Sequence, residues 1–165
     1  MTTDTRPQPR PLAPIGAKRA AWAVDQAPDA VSVLRANASK VLQTWGIDPD
    51  GDQVFAALLV LTELVTNASQ HGRPALGLID TEMWLADGHV IVAVTDGTTE
   101  APVKRTAGSG DESGRGLALI SVYAESVGYE PLPAGKRVWA VIGPHAAPEG
   151  RTLLAVPLDP LPYAV

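Results

Sequence analysis

The chain has no cysteine, which excludes disulfides and thiolate-bound metal sites. That absence fits a reducing compartment, and a cytoplasmic location is the expectation. Only three histidines occur, His71, His89 and His145. Neither of the other two stands at a ligand spacing from His71, so no zinc site is expected. No apolar run approaches the roughly 20 residues that a membrane span needs, and no apolar h-region of a signal peptide opens the chain. Basic residues are outnumbered, 13 against 18 acidic, for a net charge of -5. Broad electrostatic binding to nucleic acid or to an anionic membrane is therefore not expected. Aromatic side chains make up 5% of the chain, so the core must be built mainly from Ala, Val and Leu. The tryptophans Trp22, Trp45, Trp84 and Trp139 are expected in that core or on a sheet face.

What is present suits one domain. At 165 residues such a chain buries roughly 70% of its unfolded surface. Residues 1–19 carry Pro7, Pro9, Pro11 and Pro14 with Arg6, Arg10, Lys18 and Arg19, which reads as a basic, Pro-rich arm without fixed structure. Residues 20–143 read as the folded domain and 144–165 as a C-terminal extension. No internal repeat is present.

Ala20 to Val24 reads as a short first strand. Pro28 and Asp29 suit a helix start. Val31, Leu34, Ala38, Val41, Leu42 and Trp45 follow at helical spacing, and Gly46 suits the cap. A second helix is expected from about Asp52 to His71, closed by Gly72 and kept from continuing by Pro74. It is apolar nearly all round, so it should be buried. Yet Glu63, Asn67 and His71 recur at i, i+4 and i+8, with Gln70 beside them, as one polar stripe. Buried polar groups need partners. The stripe must either pair within the protein or line a cleft that a ligand or metal fills.

Ala75 to Leu85 and His89 to Thr95 read as strands joined at Asp87-Gly88, a strong hairpin signal. The second is apolar on both faces, so it should be central, and it ends at Asp96-Gly97. Residues 97–113 have no periodicity, and a loop of that length inside a compact domain is usually functional. Leu117, Ile120, Ala124 and Val127 then recur at helical spacing, with Gly128 as the expected helix end. Tyr129 to Leu132 and Arg137 to Ile142 read as two more strands, turning at Pro133-Ala134-Gly135. This order holds few strand–helix–strand crossovers. An α+β two-layer sandwich is expected, with a mixed, largely antiparallel sheet and helices on one face.

Three pieces carry chemistry. Glu63-x-x-x-Asn67 sets a carboxylate beside an amide oxygen. The amide oxygen is a hard ligand suited to Mg²⁺, and the carboxylate can orient or deprotonate a nucleophile. Asp96 at a central strand end accepts hydrogen bonds only, which suits an amino donor such as adenine N6, and Gly97 lets a flat base approach the backbone. Gly114-Arg115-Gly116-Leu117 opens a helix after a Gly-rich loop. Its free N–H groups and dipole attract phosphate, and Arg115 adds charge-assisted bonds. A Walker lysine motif is absent, and no Gly-x-Gly-x-x-Gly follows a strand, so this is neither a P-loop nor a Rossmann site.

Together these pieces resemble the Bergerat-type ATP-binding fold of the GHKL group (gyrases, heat-shock chaperones, histidine kinases and MutL proteins), over about Ala20 to Ile142. Thr62-Glu63-Leu64-Val65-Thr66-Asn67-Ala68 with His71 resembles the N-box of its short branch, the bacterial anti-sigma-factor serine/threonine kinases. Gly114-Arg115-Gly116-Leu117 with Leu119-Ile120 resembles the second glycine box, and Gly135-Lys136-Arg137-Val138-Trp139 a late strand of that branch. The resemblance implies that Asn67 holds Mg²⁺ on the phosphates of ATP and that Glu63 is the catalytic base. It implies that Asp96, with Gly97, binds adenine, and that residues 98–113 form a lid in which Lys104 and Arg105 can assist. Gly114, Arg115, Gly116 and Leu117 would face the phosphates. The implied activity is transfer of the γ-phosphoryl of Mg-ATP to a serine of a small antagonist protein. A sigma factor would be the further partner, transcription the process regulated and a homodimer the assembly. One departure stands out. The first glycine box is commonly Asp-x-Gly-x-Gly, and here it is Asp96-Gly97-Thr98-Thr99-Glu100, without the later glycines. That keeps a second function open, a nucleotide-gated module that sequesters its partner with little or no kinase activity. A detached histidine-kinase catalytic domain is disfavoured, because no long helix with a phosphoacceptor histidine precedes the fold.

Overall fold

The computed structural model describes residues 16–72, 77–98 and 115–145, with the backbone alone for 115–117. Within them the elements run β1 (Lys18–Val24), α1 (Ala30–Thr44), α2 (Asp52–His71), β2 (Ile79–Ala86), β3 (His89–Asp96), α3 (Arg115–Tyr123), β4 (Ser126–Leu132) and β5 (Gly135–Ile142). The sheet order is β1-β2-β3-β5-β4, with β3 at the centre. Every pairing among these strands is antiparallel, so the expected mixed character is absent from the described sheet. The α+β two-layer architecture is as expected.

Alternation along the strands sorts the sheet into two faces. Ile79 and Met83 of β2, Val90, Val92 and Val94 of β3, and Ala140 and Ile142 of β5 join one core with the helices. From the helices come Leu34, Ala38 and Leu42 of α1, the apolar side of α2, and Ile120 of α3. In α2, Val54, Ala56, Ala57, Val60, Leu61, Leu64, Val65 and Ala68 are buried. Burying each of the larger aliphatic side chains contributes about 1.5–3 kcal/mol before conformational entropy is charged against it. On the opposite face, Trp84, Ile91, Ala93, Trp139 and Val141 form a second, smaller cluster. Cross-strand register makes it, since Ile91 lies opposite both Trp84 and Val141, and Ala93 opposite Trp139. Trp22 and Trp45 are partly buried against the main core.

Local chemistry explains most boundaries. Asp87 and Gly88 both have positive φ, 48° and 77°, as the tight turn between β2 and β3 requires. Gly46 has φ 89° and ends the α1 region in the left-handed conformation. The helix itself starts at Ala30, so Pro28 precedes the N-cap Asp29 instead of lying in the first turn. α2 has Asp52 in its first turn, where a carboxylate is favourable to the helix dipole. β1 begins at Lys18, inside the stretch expected to be the arm, and residues 1–15 and 146–165 lie outside the described residues. β2 begins at Ile79 rather than Ala75, just past Gly77 with φ 73°.

One element departs from its helical spacing. α3 ends at Tyr123, and Val127 and Gly128 belong to β4. The backbone turns because the Glu125 N–H donates to the Val141 carbonyl, starting the β4–β5 ladder. Val127 then pairs with Ala140 and Gly128 with Trp139. Gly128 is therefore a packing glycine rather than a helix stop. A Cβ there would run into Cζ2 and Cε2 of the buried Trp139 indole. Replacing Gly128 by Ala should cost roughly 1–3 kcal/mol through overpacking, read as a lower urea midpoint at unchanged m-value. An unchanged midpoint would mean that the indole has room to move.

Candidate functional site

The site lies where the C-terminal half of α2 meets the end of β3. Glu63 and Asn67 project one turn apart from α2. Both are half-buried, while Gln70 and His71 are exposed. The polar stripe thus runs along the border of the helix layer and is not buried, which corrects the expectation of an enclosed stripe. Neither Glu63 nor Asn67 has a hydrogen-bond or ion-pair partner among the described residues. Both side chains are free to engage a ligand. Gln53 and Ser69, on the same helix, instead spend their side chains on the protein. Gln53 donates to the Gly88 carbonyl at 2.6 Å, and Ser69 donates to Gln26 at 2.7 Å.

Five residues beyond Asn67, or about 7.5 Å along the axis, the helix ends at Gly72. Its N–H donates to the Ala68 carbonyl, and its own carbonyl accepts the Gly97 N–H, each at 2.8 Å. The helix end is thereby stitched to the residue after β3. Gly72 has φ -85°, so it is not a left-handed cap, as its position after the helix suggested. The reason for glycine is space. A Cβ would stand 2.5 Å from the Asp96 Cβ and 2.8 Å from its Cγ. Gly135 serves from the other side, where a Cβ would collide with the Asp96 carbonyl. Asp96 is held between two glycines.

The carboxylate of Asp96 is 6% exposed, and the Lys136 side chain 8%. These two residues are directly opposed in the β3–β5 register. The Lys136 ammonium donates to Oδ1 at 3.1 Å and lies 2.9 Å from Oδ2 as an ion pair. The Thr98 N–H donates to Oδ1 at 3.0 Å, which shapes the chain leaving the strand. Of about four acceptor positions on a carboxylate, two on Oδ1 take hydrogen bonds, and Oδ2 takes none from the described residues. The site therefore retains an acceptor for an amino donor, although its charge is neutralised by Lys136.

Sequence reasoning found Asp96 but gave Lys136 no role. Its signal was there: Lys136 is in phase with Val138, Ala140 and Ile142, so a period of two turns it toward the helix layer. Its neighbour Arg137 takes the other face, where it pairs with Glu130 and Glu82 and donates to Thr95 Oγ1. Gly97 follows β3 directly. Arg115, Gly116 and Leu117 form the first turn of α3. Phe55 of α2 and Tyr123 of α3 meet edge to face at 5.8 Å. This contact ties the last residue of α3 to the start of α2 and leaves the first turn of α3 at the far end from Phe55. Gly114, and with it Lys104, Arg105 and the lid beyond Thr98, lies outside the described residues.

No group of three or more His, Asp or Glu side chains among the described residues is placed to hold a metal alone. A hard cation here would need the Asn67 amide oxygen completed by ligand oxygens and water. An unpartnered amide fits that donor set, because Mg²⁺ prefers oxygen and keeps several waters. No described helix is long and apolar enough to cross a membrane.

The Asp96–Lys136 pair makes a thermodynamic prediction. Lys136→Met leaves a buried carboxylate without its counter-charge and should cost about 3–5 kcal/mol in urea unfolding. The double variant Lys136→Met with Asp96→Asn should recover most of that loss. Additive losses in the double variant would show that the two groups do not act as a pair.

The family model of the histidine kinase-like ATPase domain matches residues 24–142. The match runs from the last residue of β1 to the last of β5 and takes in the α2 stripe, Asp96, α3 and Lys136. A search of curated proteins finds no significant match. With well over half of the chain matched, on an antiparallel sheet carrying its helices on one face, the protein belongs to the histidine kinase-like ATPase domain family, an ATP-binding fold.

Proposed function

We propose that the protein is an Mg-ATP-dependent serine/threonine protein kinase of the anti-sigma-factor type, acting in the cytoplasm. The observation that carries this reading is the free pair of Glu63 and Asn67, side by side on α2, with Asn67 about a turn and a half from the stitched Asp96 corner. A base pocket alone would serve any nucleotide binder. A half-buried carboxylate next to an unpartnered hard amide oxygen supports phosphoryl transfer as well.

In this mechanism Asp96 accepts a hydrogen bond from the adenine amino group, with Gly97 giving the base room. Asn67 would hold Mg²⁺ through its amide oxygen, and the ion when bound offsets the negative charge of the phosphates. The backbone N–H groups opening α3, from Arg115 to Leu117, would serve phosphate oxygens, aided by the charge of Arg115. Glu63 accepts the proton of a serine hydroxyl on a small antagonist protein. The hydroxyl oxygen forms a bond to the γ-phosphorus as the bond to the β–γ bridging oxygen breaks. ADP leaves with that electron pair, and the proton remains on Glu63 until solvent takes it. The protein would also bind a sigma factor, and exchange between its two partners, shifted by phosphorylation, would regulate transcription. The net charge of -5 favours protein partners over direct nucleic-acid binding. A homodimer is the assembly proposed.

A second function has its own support. Thr98 stands where a glycine is common, and its N–H is committed to Asp96. Lys136 also occupies the same carboxylate. Both stiffen the adenine corner and favour a nucleotide-gated sequestering module. Transfer from γ-labelled ATP to serine-bearing candidate antagonists separates the two. The wild-type protein should label its partner. Glu63→Gln should bind ATP with unchanged affinity and lose transfer by about 10²-fold or more. Equal transfer by Glu63→Gln would remove Glu63 from the base role. ATP binding by the wild type without any labelling would favour the sequestering module.

A further inference from the structure

Lys136 is the one group of the adenine corner to which the mechanism assigns nothing. It is buried, with its side chain 8% exposed. An ammonium carries three N–H donors. One of them donates to Asp96 Oδ1 at 3.1 Å, and the ammonium lies 2.9 Å from Oδ2 in the ion pair. No further partner of Lys136 occurs among the described residues. A buried donor left unspent is costly, so the remaining N–H groups call for an acceptor. An acceptor there would lie beside the Asp96 oxygens, and Oδ2 keeps its acceptor capacity next to the same ammonium.

The geometry points to Lys136 as a second base-reading residue, donating to the ring nitrogen N1 of adenine while Asp96 accepts from the adjacent amino group. The inference rests on the ATP reading above. An adenine edge presents a donor, the N6 amino group, directly beside an acceptor, N1. The protein presents the complement, an acceptor and a donor 2.9 Å apart. The pair is rigid, because Asp96 is wedged between Gly72 and Gly135 and Lys136 is fixed opposite it in the ladder. A bare carboxylate would read the amino group alone. The ion pair reads both positions, and it does so without leaving a net charge in the pocket.

The test compares ATP with 1-deaza-ATP, in which N1 is replaced by C–H and the amino group is kept. Wild-type protein should bind 1-deaza-ATP roughly ten- to a hundredfold more weakly than ATP, the range expected for one hydrogen bond to a charged group. Lys136→Met should bind ATP more weakly and lose that discrimination. Should this variant fail to fold, the double variant with Asp96→Asn is measured for the same loss of discrimination. The Nζ resonance of Lys136 in the wild-type protein gives an independent readout, expected to move with ATP and not with 1-deaza-ATP. Equal affinity of the wild type for both nucleotides, or undiminished discrimination in the Lys136 variants, overturns the role of Lys136 while ATP binding stands. No binding of ATP by the wild type overturns the ATP reading and this inference with it.

Discussion

The corner at the end of β3 holds the site together. Asp96 is enclosed there by Gly72 from the helix layer and Gly135 from the neighbouring strand, and Lys136 neutralises it. The Gly97 N–H bonded to the Gly72 carbonyl completes the join. Any side chain on Gly72 would push α2 away from β3, because the space is already filled by Asp96 itself. The register of α2 against the sheet therefore follows from one close approach. Asn67 and Glu63 inherit their positions from it, one and a half and two and a half turns back along the helix. A burial cost is met at the corner so that polar groups nearby can stay unspent. Asp96 and Lys136 satisfy each other, whereas Glu63 and Asn67 have no described partner.

Much of this was legible in the sequence. The bounds of α2, Asp52 to His71, follow from apolar content and the closing glycine. The β2–β3 hairpin follows from Asp87-Gly88, whose positive φ values few other residues would tolerate. The centrality of β3 follows from residues apolar on both faces. What was not legible was set by contacts distant in sequence. The spacing of Leu117, Ile120, Ala124 and Val127 suits a helix, but pairing with β5 takes Val127 into a strand. Gly72 and Gly128 occupy places where a helix stop is the local explanation. Both are glycines because another part of the chain, Asp96 or Trp139, occupies the room a Cβ needs. Lys136 could be assigned to the inner face by alternation, yet only the β3–β5 register names its partner.

Binding and catalysis make different demands on this site. The proposed base corner and the Asn67 amide both belong to this chain, and family membership gives ATP binding its warrant. Phosphoryl transfer asks more. In the proposed transfer Glu63 would accept a proton only when a partner brought a hydroxyl to it, and positioning of that hydroxyl would supply much of the rate. The stiffness at Thr98 and Lys136 bears on the first demand, and the exposure of the Glu63 edge of α2 on the second. A protein that met only the first would still be a nucleotide-dependent binder, which is why the two proposed functions draw on the same residues.

The central claim is that the free amide on α2 and the Asp96 corner form one Mg-ATP site. Calorimetric titration of the purified protein with ATP, with and without Mg²⁺, tests it most directly when repeated on Asn67→Ala. The account predicts tighter ATP binding with Mg²⁺ in the wild type, and loss of that Mg²⁺ dependence in an Asn67→Ala protein that keeps its far-UV circular dichroism. Unchanged Mg-ATP affinity in folded Asn67→Ala would contradict it.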